Sequence, residues 1–450
     1  MIENVFVNYV GRKNIIRASI YGIVMTIMEE AKRGVIGEEI RQVAKEEGIE
    51  AEVVRRRVAE GKIVIPHNPI HNPKALGIGK GLRVKVNANI GTSMEYCDIN
   101  EEIEKAKVAM EAGAHAIMDL STGGNLDEIR VKLLKIVDIP FGTVPIYQAG
   151  IEAMRKKGAI VDMTADDMFK AFERHAKQGV DFAVAHVGVT KESVKRLKRQ
   201  KRLIPMVSRG GAFHMAWILH HDEENPLYKE FDYLLEIAKE HDLTLSLGDG
   251  MRSGAIYDSN DRAKFQELLI IGELIERARN EGVQAMVEGP GHMPLCDIEA
   301  NIKVMKKVTN EAPYFVLGPL VTDIAPGYDH FVGGIGGALA GYYGADFLCY
   351  ITPAEHLGLP TPEDVREGVI ATRIAAHAAN VARGIDRNID NIFSQAREKL
   401  DWKTMFELAV DAKKAREYRE RRKPFNAVET CSMCGKLCAI EIVRKYLEEE

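Results

Sequence analysis

From residue 83 the chain repeats one pattern: a short apolar run, a polar or glycine-rich break, then apolar residues at helical spacing. The apolar runs are RVKVNANIG, AHAIMDLSTGG, FGTVPIYQ, DFAVAHVG, IPMVSRGG, LTLSLGDGMR, AMVEGPGH, YFVLGPL and DFLCYITPAEH. Helix signals lie between most of them. Asp98 with Glu101 and Thr164 with Asp167 read as capping boxes, and Gly113 and Gly179 stand where their helices should stop. Phe265, Leu268, Leu269, Leu274, Ile275 and Ala278 recur as one apolar helical face. Strands regularly alternating with helices predict a parallel sheet, and the length fits an α/β fold of the (β/α)8 TIM-barrel type. Nine candidate strands are one too many, so one run is expected to lie outside the barrel.

The flanks break the rhythm. VIGEEIRQVAKEEGIEAEVVRRRVAEGKIVIPHNP reads as two short helices around a Gly-Ile-Glu turn, then a strand stopped by prolines. This predicts a small N-terminal α+β domain over 1–82, closed by the glycine-rich connection LGIGKGL at 76–82, ahead of a barrel over 83–359. After Leu359, Thr361 caps a helix with Pro362 in its first turn, running as far as Gly384. Two further helical stretches, near 391–400 and 402–422, complete a predicted C-terminal helical domain over 360–424. Pro424 is expected to break it and release a cysteine-bearing tail over 425–450. FVGGIGGALAGYYG, 331–344, lacks the lysine of a phosphate-binding loop and reads as a tightly packed helix.

Composition narrows the class. Hydrophobic residues make up 46% of the 450, yet no run approaches the roughly 20 apolar residues that span a bilayer. MIENVFVNYVGRKNIIRASI has no basic stretch leading into an apolar run and cleavage site. Six cysteines are too few for a disulfide scaffold and suit a reducing compartment, so a cytoplasmic protein without membrane association is expected. The net charge of −5 offers no field for nucleic acid. KKAREYRERRK, 413–423, is the local exception, with seven basic residues against two acidic. It reads as a solvated helix end whose cations suit the C-terminal dipole, with an anionic partner as the alternative.

Chemistry-bearing residues fall where strands end: Asn89, Asp119, Tyr147, His186, Ser208-Arg209-Gly210, Asp249-Gly250, Glu288 with His292, Asp323 and His356. In an α/β barrel those positions share one pocket. Ser208-Arg209-Gly210-Gly211 and Asp249-Gly250-Met251-Arg252 each join arginine to glycine, a pairing that suits a phosphorylated substrate, although either alone also makes a plain turn. Glu288-Gly-Pro-Gly-His292 puts a carboxylate and an imidazole on one rigid turn, fit for acid–base work or metal binding. His356 is a candidate second ligand for an open zinc site, though both histidines also suit loop caps. In the tail, Cys431, Cys434 and Cys438 are compatible with a zinc knuckle, a redox pair or three ligands of a 4Fe–4S cluster with one open iron.

Motifs in order across the chain decide among these. NANIGTS, MDLSTGGN, GTVPIYQA, VSRGG, SLGDGMR, EGPGHMP, LGPLVTDIAPGYDH, CYITPAEHLGLP and CSMCG closely resemble the phosphomethylpyrimidine synthase family of radical S-adenosylmethionine enzymes, from about residue 83 to the tail. The resemblance implies conversion of 5-aminoimidazole ribotide to 4-amino-5-hydroxymethyl-2-methylpyrimidine phosphate in thiamine synthesis, with formate and carbon monoxide released. It implies substrate contacts at Asn89, Met118, Tyr147, His186, Ser208, Arg209, Gly210, Asp249, Gly250, Met251, Arg252 and Glu288, the last also catalytic. It implies zinc or another divalent metal on His292 and His356, and a 4Fe–4S cluster with S-adenosylmethionine on Cys431, Cys434 and Cys438. A homodimer whose tail reaches the partner's pocket, and an electron donor such as flavodoxin or ferredoxin, are implied as well.

Two departures stand out. The gap between the second and third cysteines holds only Gly435, Lys436 and Leu437, where the family form has four residues. Phe315 takes the place of a substrate-contacting tyrosine, directly after Tyr314. The latter keeps open a paralogous activity, 5-hydroxybenzimidazole synthesis from the same substrate. A non-radical zinc-binding barrel with a zinc-knuckle interaction tail is the remaining alternative.

Overall fold

The computed structural model describes residues 25–423 and 429–447. The N-terminal stretch MIENVFVNYVGRKNIIRASI and Pro424 therefore lie outside the described residues. LGIGKGL is more than a connection, because Ile78–Gly79 (β2) pairs antiparallel with Ile63–Val64 (β1). A Cβ at Gly79 would meet the Lys62 carbonyl oxygen at 2.2 Å, so the pairing needs glycine there. The predicted helices are Glu38–Glu47 and Ala51–Ala59, and Ile27–Lys32 precedes them. Ile27, Met28, Ile40, Val43, Val54 and Val58 bury one another in a cluster separate from the barrel core.

Eight of the nine apolar runs are strands of a closed, all-parallel barrel: β3 (Lys85–Ile90), β4 (Ala116–Asp119), β5 (Phe141–Thr143), β6 (Phe182–Ala185), β7 (Thr244–Leu247), β8 (Ala285–Gly289), β9 (Tyr314–Leu317) and β10 (Phe347–Cys349). Phe347 opposite Lys85 and Cys349 opposite Asn87 close β10 onto β3. Helices wrap the outside, so nearly every strand residue is buried and the strands read as continuous apolar runs.

IPMVSRGG is the run outside the barrel. Its entry is tied to a carboxylate instead of a strand: Leu203, just before it, and Ile204 both donate their N–H to Asp258 at 3.0 Å, and Pro205 has no N–H to donate. Ser208 then caps the helix Arg209–His221, accepting from the Gly211 N–H at 3.1 Å.

Thr164 and Asp167 form the predicted capping box, and Gly179 ends that helix in the left-handed region. Asp98 caps alone through the Asn100 N–H, because Glu101 accepts the Tyr96 hydroxyl instead. In the helix Arg262–Asn280, Leu269 is exposed, while Ile270 and Ile271 join Leu268, Leu274, Ile275 and Ala278 inside. The glycine-rich 331–344 stretch lies in the helix Asp329–Tyr343, and a Cβ at Gly341 would meet Ala379 at 2.7 Å.

Thr361 caps Pro362–Ala382 with a capping box to Asp364. Three helices follow instead of two: Arg387–Glu398, Trp402–Leu408 and Ala412–Arg421. Asp411 forces the extra break, since it caps the last helix through the Lys414 N–H and holds Arg366 at 2.8 Å. Among the described residues no helix is long and apolar enough to cross a membrane.

The N-terminal segment covers the N-terminal ends of the barrel strands. Gln284, just before β8, accepts from the Ile65 N–H at 2.7 Å and donates back to the Ile65 carbonyl at 3.1 Å. Asp181, just before β6, accepts from the N–H groups of Asn68 and Phe141 and from His71 Nδ1 at 2.6 Å. The other His71 nitrogen lies 2.8 Å from the Val137 carbonyl, so both nitrogens donate and the ring is an imidazolium. Burial opposes that charge, but the hydrogen bond and charge of Asp181 outweigh it and raise the His71 pKa. Asp181→Ala strands a buried cation and two N–H groups, and is expected to lower stability by about 3–5 kcal/mol. Urea unfolding at neutral pH reads this directly, and a loss below about 1 kcal/mol would contradict the assignment.

Candidate active site

The opposite end of the barrel is open. There Asn89, Met118, Tyr147, His186, Asp249, Arg252 and Glu288 converge on a cavity of about 480 Å³ that opens to solvent. Leu120, Val144, Val184, Phe315, Leu317 and Cys349 complete much of its wall. Seven of the residues expected at a shared site thus line one pocket, at the face where (β/α)8 enzymes carry their chemistry.

Glu288 is the electrostatic centre. It is buried, and Ser246 donates to its Oε1 at 3.0 Å. Burial pushes its pKa up to about 8, with Asp249 adding to the rise and Arg252 opposing it. Arg252 lies 3.4 Å from Asp249 Oδ1. His186 is also buried, with Nδ1 unpartnered, and burial, then His214 and Arg252, lowers its pKa well below 6.5. It is a neutral imidazole at pH 7.

Two residues missing from the sequence reading hold this floor. The Met251 N–H donates to both oxygens of Glu267, at 3.2 and 3.0 Å. Lys264 Nζ lies between that carboxylate, at 3.8 Å, and Asp249 Oδ2, at 3.6 Å. Burial raises the Glu267 pKa to about 7, against the pull of Lys264. Both sit on a helix, where a lysine and a glutamate three apart ordinarily mark a solvated face; nothing in their spacing signals burial.

The expected contacts at 208–210 and 250–251 are arranged differently. A Cβ at Gly211 would meet the Gly250 carbonyl oxygen at 2.6 Å, so the two glycine-bearing loops touch backbone to backbone. At Gly210 a Cβ would meet His186 Cε1 at 2.2 Å. The Arg209 guanidinium lies 5.1 Å above the Tyr147 ring, at the pocket edge, and Ser208 is taken up as a helix cap. The Met251 side chain is fully buried. Asp119 closes its own turn, accepting the Ser121 N–H at 2.9 Å.

Tyr314 does not stand in for the missing hydroxyl. Adjacent strand residues face opposite ways, and Tyr314 donates outward to Asn301 at 2.9 Å. Phe315 faces the pocket and stacks on Phe347 with centroids 4.3 Å apart. Cys349, read as part of a strand, brings its sulfur within 2.9 Å of Asn89 Nδ2. Burial pushes this thiol up to about 12, so it stays protonated.

His292 and His356 meet with their Nε2 atoms 3.2 Å apart. His292 Nδ1 lies 2.7 Å from Asp323, and His356 Nδ1 lies 3.4 Å from Asp329. Those carboxylates favour the Nδ1–H tautomer, which turns two Nε2 lone pairs on each other, an arrangement that a shared cation relieves. Two ligands on a tetrahedral zinc stand about 3.3 Å apart, so the pair fits. His356 also has a backbone φ of +64°, a strained conformation for a residue with a side chain. Among the described residues no three His, Cys, Asp or Glu side chains form a metal-holding group, so further ligands would have to complete the shell.

The cysteines share a loop. Gly435 N–H donates to the Cys431 carbonyl and Leu437 N–H to that of Cys434, each at 3.0 Å, and the shortened gap is one 3-10 turn. The Met433 N–H bears on the Cys431 sulfur and, outweighing burial, helps lower its pKa. Cys434 is exposed and Cys438 buried, so the three sulfurs are close in sequence without being gathered to one point. Trp402 Nε1 donates to the Glu429 carbonyl at 2.6 Å, and the segment 429–447 rests on its own C-terminal helices through such contacts.

A family profile described as the radical SAM ThiC family matches residues 26–445. The chain belongs to that family. Curated relatives called phosphomethylpyrimidine synthase agree: one from Pyrococcus abyssi is 57% identical over 428 residues, covering 95% of this chain and 99% of its own. The relative from Methanocaldococcus jannaschii is 56% identical over 423 residues, with coverage of 94% and 99%. That from Methanopyrus kandleri is 54% identical over 429 residues, with coverage of 94% and 100%. The chain is therefore an enzyme, and radical SAM membership implies an iron–sulfur cluster and S-adenosylmethionine. Three soft thiols on one loop fit that group chemically.

Proposed function

We propose that this enzyme converts 5-aminoimidazole ribotide into 4-amino-5-hydroxymethyl-2-methylpyrimidine phosphate in the cytoplasm, releasing formate and carbon monoxide. The observation that supports it best is the convergence of Asn89, Tyr147, His186, Arg252 and Glu288 on one pocket, in a chain of this family. Arg209 and the helix start at Ser208–Gly210 bind the substrate phosphate, where the helix dipole favours an anion. Asn89 and Tyr147 orient the rest of the substrate. Met118, Leu120, Val144 and Phe315 exclude water around it. Glu288 holds a proton at pH 7 and exchanges it with the substrate. Cys431, Cys434 and Cys438 hold the iron–sulfur cluster, which when bound supplies the one-electron reduction of S-adenosylmethionine. The enzyme works as a homodimer, with the cysteine segment of one subunit reaching the partner's pocket.

His292 and His356 hold zinc or another divalent metal. His356→Ala removes one of the two facing nitrogens and is expected to lower bound metal from near one equivalent to below about a tenth. Elemental analysis after dialysis reads this, and unchanged metal content would dismiss the site.

A second reading rests on Phe315, which brings a ring without a hydroxyl to the pocket while Tyr314 faces away. It assigns 5-hydroxybenzimidazole as the product. Mass analysis of the product formed anaerobically from 5-aminoimidazole ribotide separates the two. The pyrimidine phosphate is expected, and the benzimidazole would overturn the first reading.

A further inference from the structure

The basic segment 413–423 is not accounted for by the barrel chemistry. Its helix, Ala412–Arg421, has no acidic residue in its first turn, where Lys413 and Lys414 stand instead, against the helix dipole. A dipole complement at the C-terminal end therefore explains only part of its charge. Arg419 lies 3.5 Å over the Trp402 ring and donates to the Glu429 carbonyl at 3.3 Å. Lys414 pairs with Glu367 at 3.3 Å. Lys413, Arg416, Arg421, Arg422 and Lys423 are exposed, and among the described residues none has an ion-pair partner.

The charge stands beside the cysteine loop. Arg419 holds the Glu429 carbonyl, and Glu429 stands two residues before Cys431. Between the cysteines, Met433 is 90% exposed and Leu437 81% exposed, so the loop presents an apolar tip edged by cations. Electron-transfer complexes are small, with charge steering the encounter and little apolar area at the redox centre. A net charge of −5 over the whole chain repels an acidic protein elsewhere and directs it to this patch.

We propose that the exposed basic face of Ala412–Arg421, with Arg422 and Lys423, docks an acidic one-electron carrier protein over the cysteine loop. The inference rests on the reading of that loop as the iron–sulfur site. One electron passes from the reduced carrier to the cluster, the carrier being oxidised by one equivalent, and no atom or proton is exchanged between the two proteins.

The test uses reconstituted holoenzyme carrying Lys413→Glu, Arg416→Glu and Arg421→Glu together, with flavodoxin as the probe. The variant is expected to raise the KM for reduced flavodoxin by about ten- to a hundredfold and to flatten its dependence on ionic strength. The rate with dithionite, which needs no docking surface, stays within about twofold of the parent. Calorimetric titration with oxidised flavodoxin is expected to show the same weakening without turnover. Unchanged flavodoxin KM and binding overturn the proposal. So does a change in the mass of the assembly between parent and variant, which would give this face to a second copy of the chain. Should the parent fail to cleave S-adenosylmethionine with either reductant, the radical reading of the site fails, and equal binding of flavodoxin to parent and variant then overturns the docking surface separately.

Discussion

Cys434→Ala is expected to abolish 5′-deoxyadenosine formation from S-adenosylmethionine, by at least about a thousandfold or ~4 kcal/mol of barrier. The effect is large because three thiolates are the whole protein contribution to such a cluster, so losing one leaves an assembly that is incomplete and readily shed. The substitution is also clean. Cys434 is exposed, and the loop around it is held by backbone bonds from Gly435 and Leu437 that alanine retains. The barrel core shares no side chain with this loop, so thermal melting of the apoprotein should match the parent. Iron content and colour after anaerobic reconstitution should fall with activity. Cys97→Ala, which alters an equally exposed thiol away from the loop, should leave all three measurements unchanged. Full activity in Cys434→Ala would remove the ligand assignment.

The barrel was legible because strands covered on both faces read as apolar runs, and those runs kept phase with the helices. IPMVSRGG shows the limit of that signal: the run is apolar enough for a strand, but the carboxylate that takes the N–H groups at its entry, Asp258, lies some fifty residues away in sequence. The break at Asp411 is set in the same way from a distance, since its partner Arg366 belongs to another helix. In the pocket, residues at strand ends were recognisable because topology aims those ends at one mouth. Lys264 and Glu267 were not, because a charged pair on a helix carries no mark of being folded inward. Cys349 hid as a small apolar residue within a strand, the usual behaviour of an unmodified thiol. The Tyr314–Phe315 question needed only strand alternation to answer, once the register of β9 was known. The spacing of the tail cysteines left a zinc knuckle, a redox pair and a cluster open, and their seat on Trp402 and Arg419 depends on tertiary contacts.

Glu288→Gln is the second large effect, an expected loss of about 10²–10⁴ in kcat with the barrel intact. Amide and acid have nearly the same shape, and Ser246 can still donate to the remaining carbonyl oxygen. The amide cannot release a proton, however. With a pKa near 8, Glu288 is mostly protonated at pH 7, and wild-type turnover should fall as pH rises through about 8. In Glu288→Gln that alkaline limb should vanish, leaving a low, flat profile. Stability should move the other way. Folding raises this carboxyl from 4.5 to about 8, so the folded state binds the extra proton between those values. By linkage its contribution becomes steadily more unfavourable as pH climbs across that window. The glutamine has no such term, and the variant should be more stable than the parent at pH 7 and above, by an amount on the order of a few kcal/mol. Denaturant titrations at pH 5 and pH 8 separate the outcomes. A stability gap that widens with pH, together with lost turnover, is what a strained, proton-holding catalytic carboxyl requires. A gap of constant size would mean that Glu288 titrates as an ordinary carboxylate and that the loss of rate has another origin.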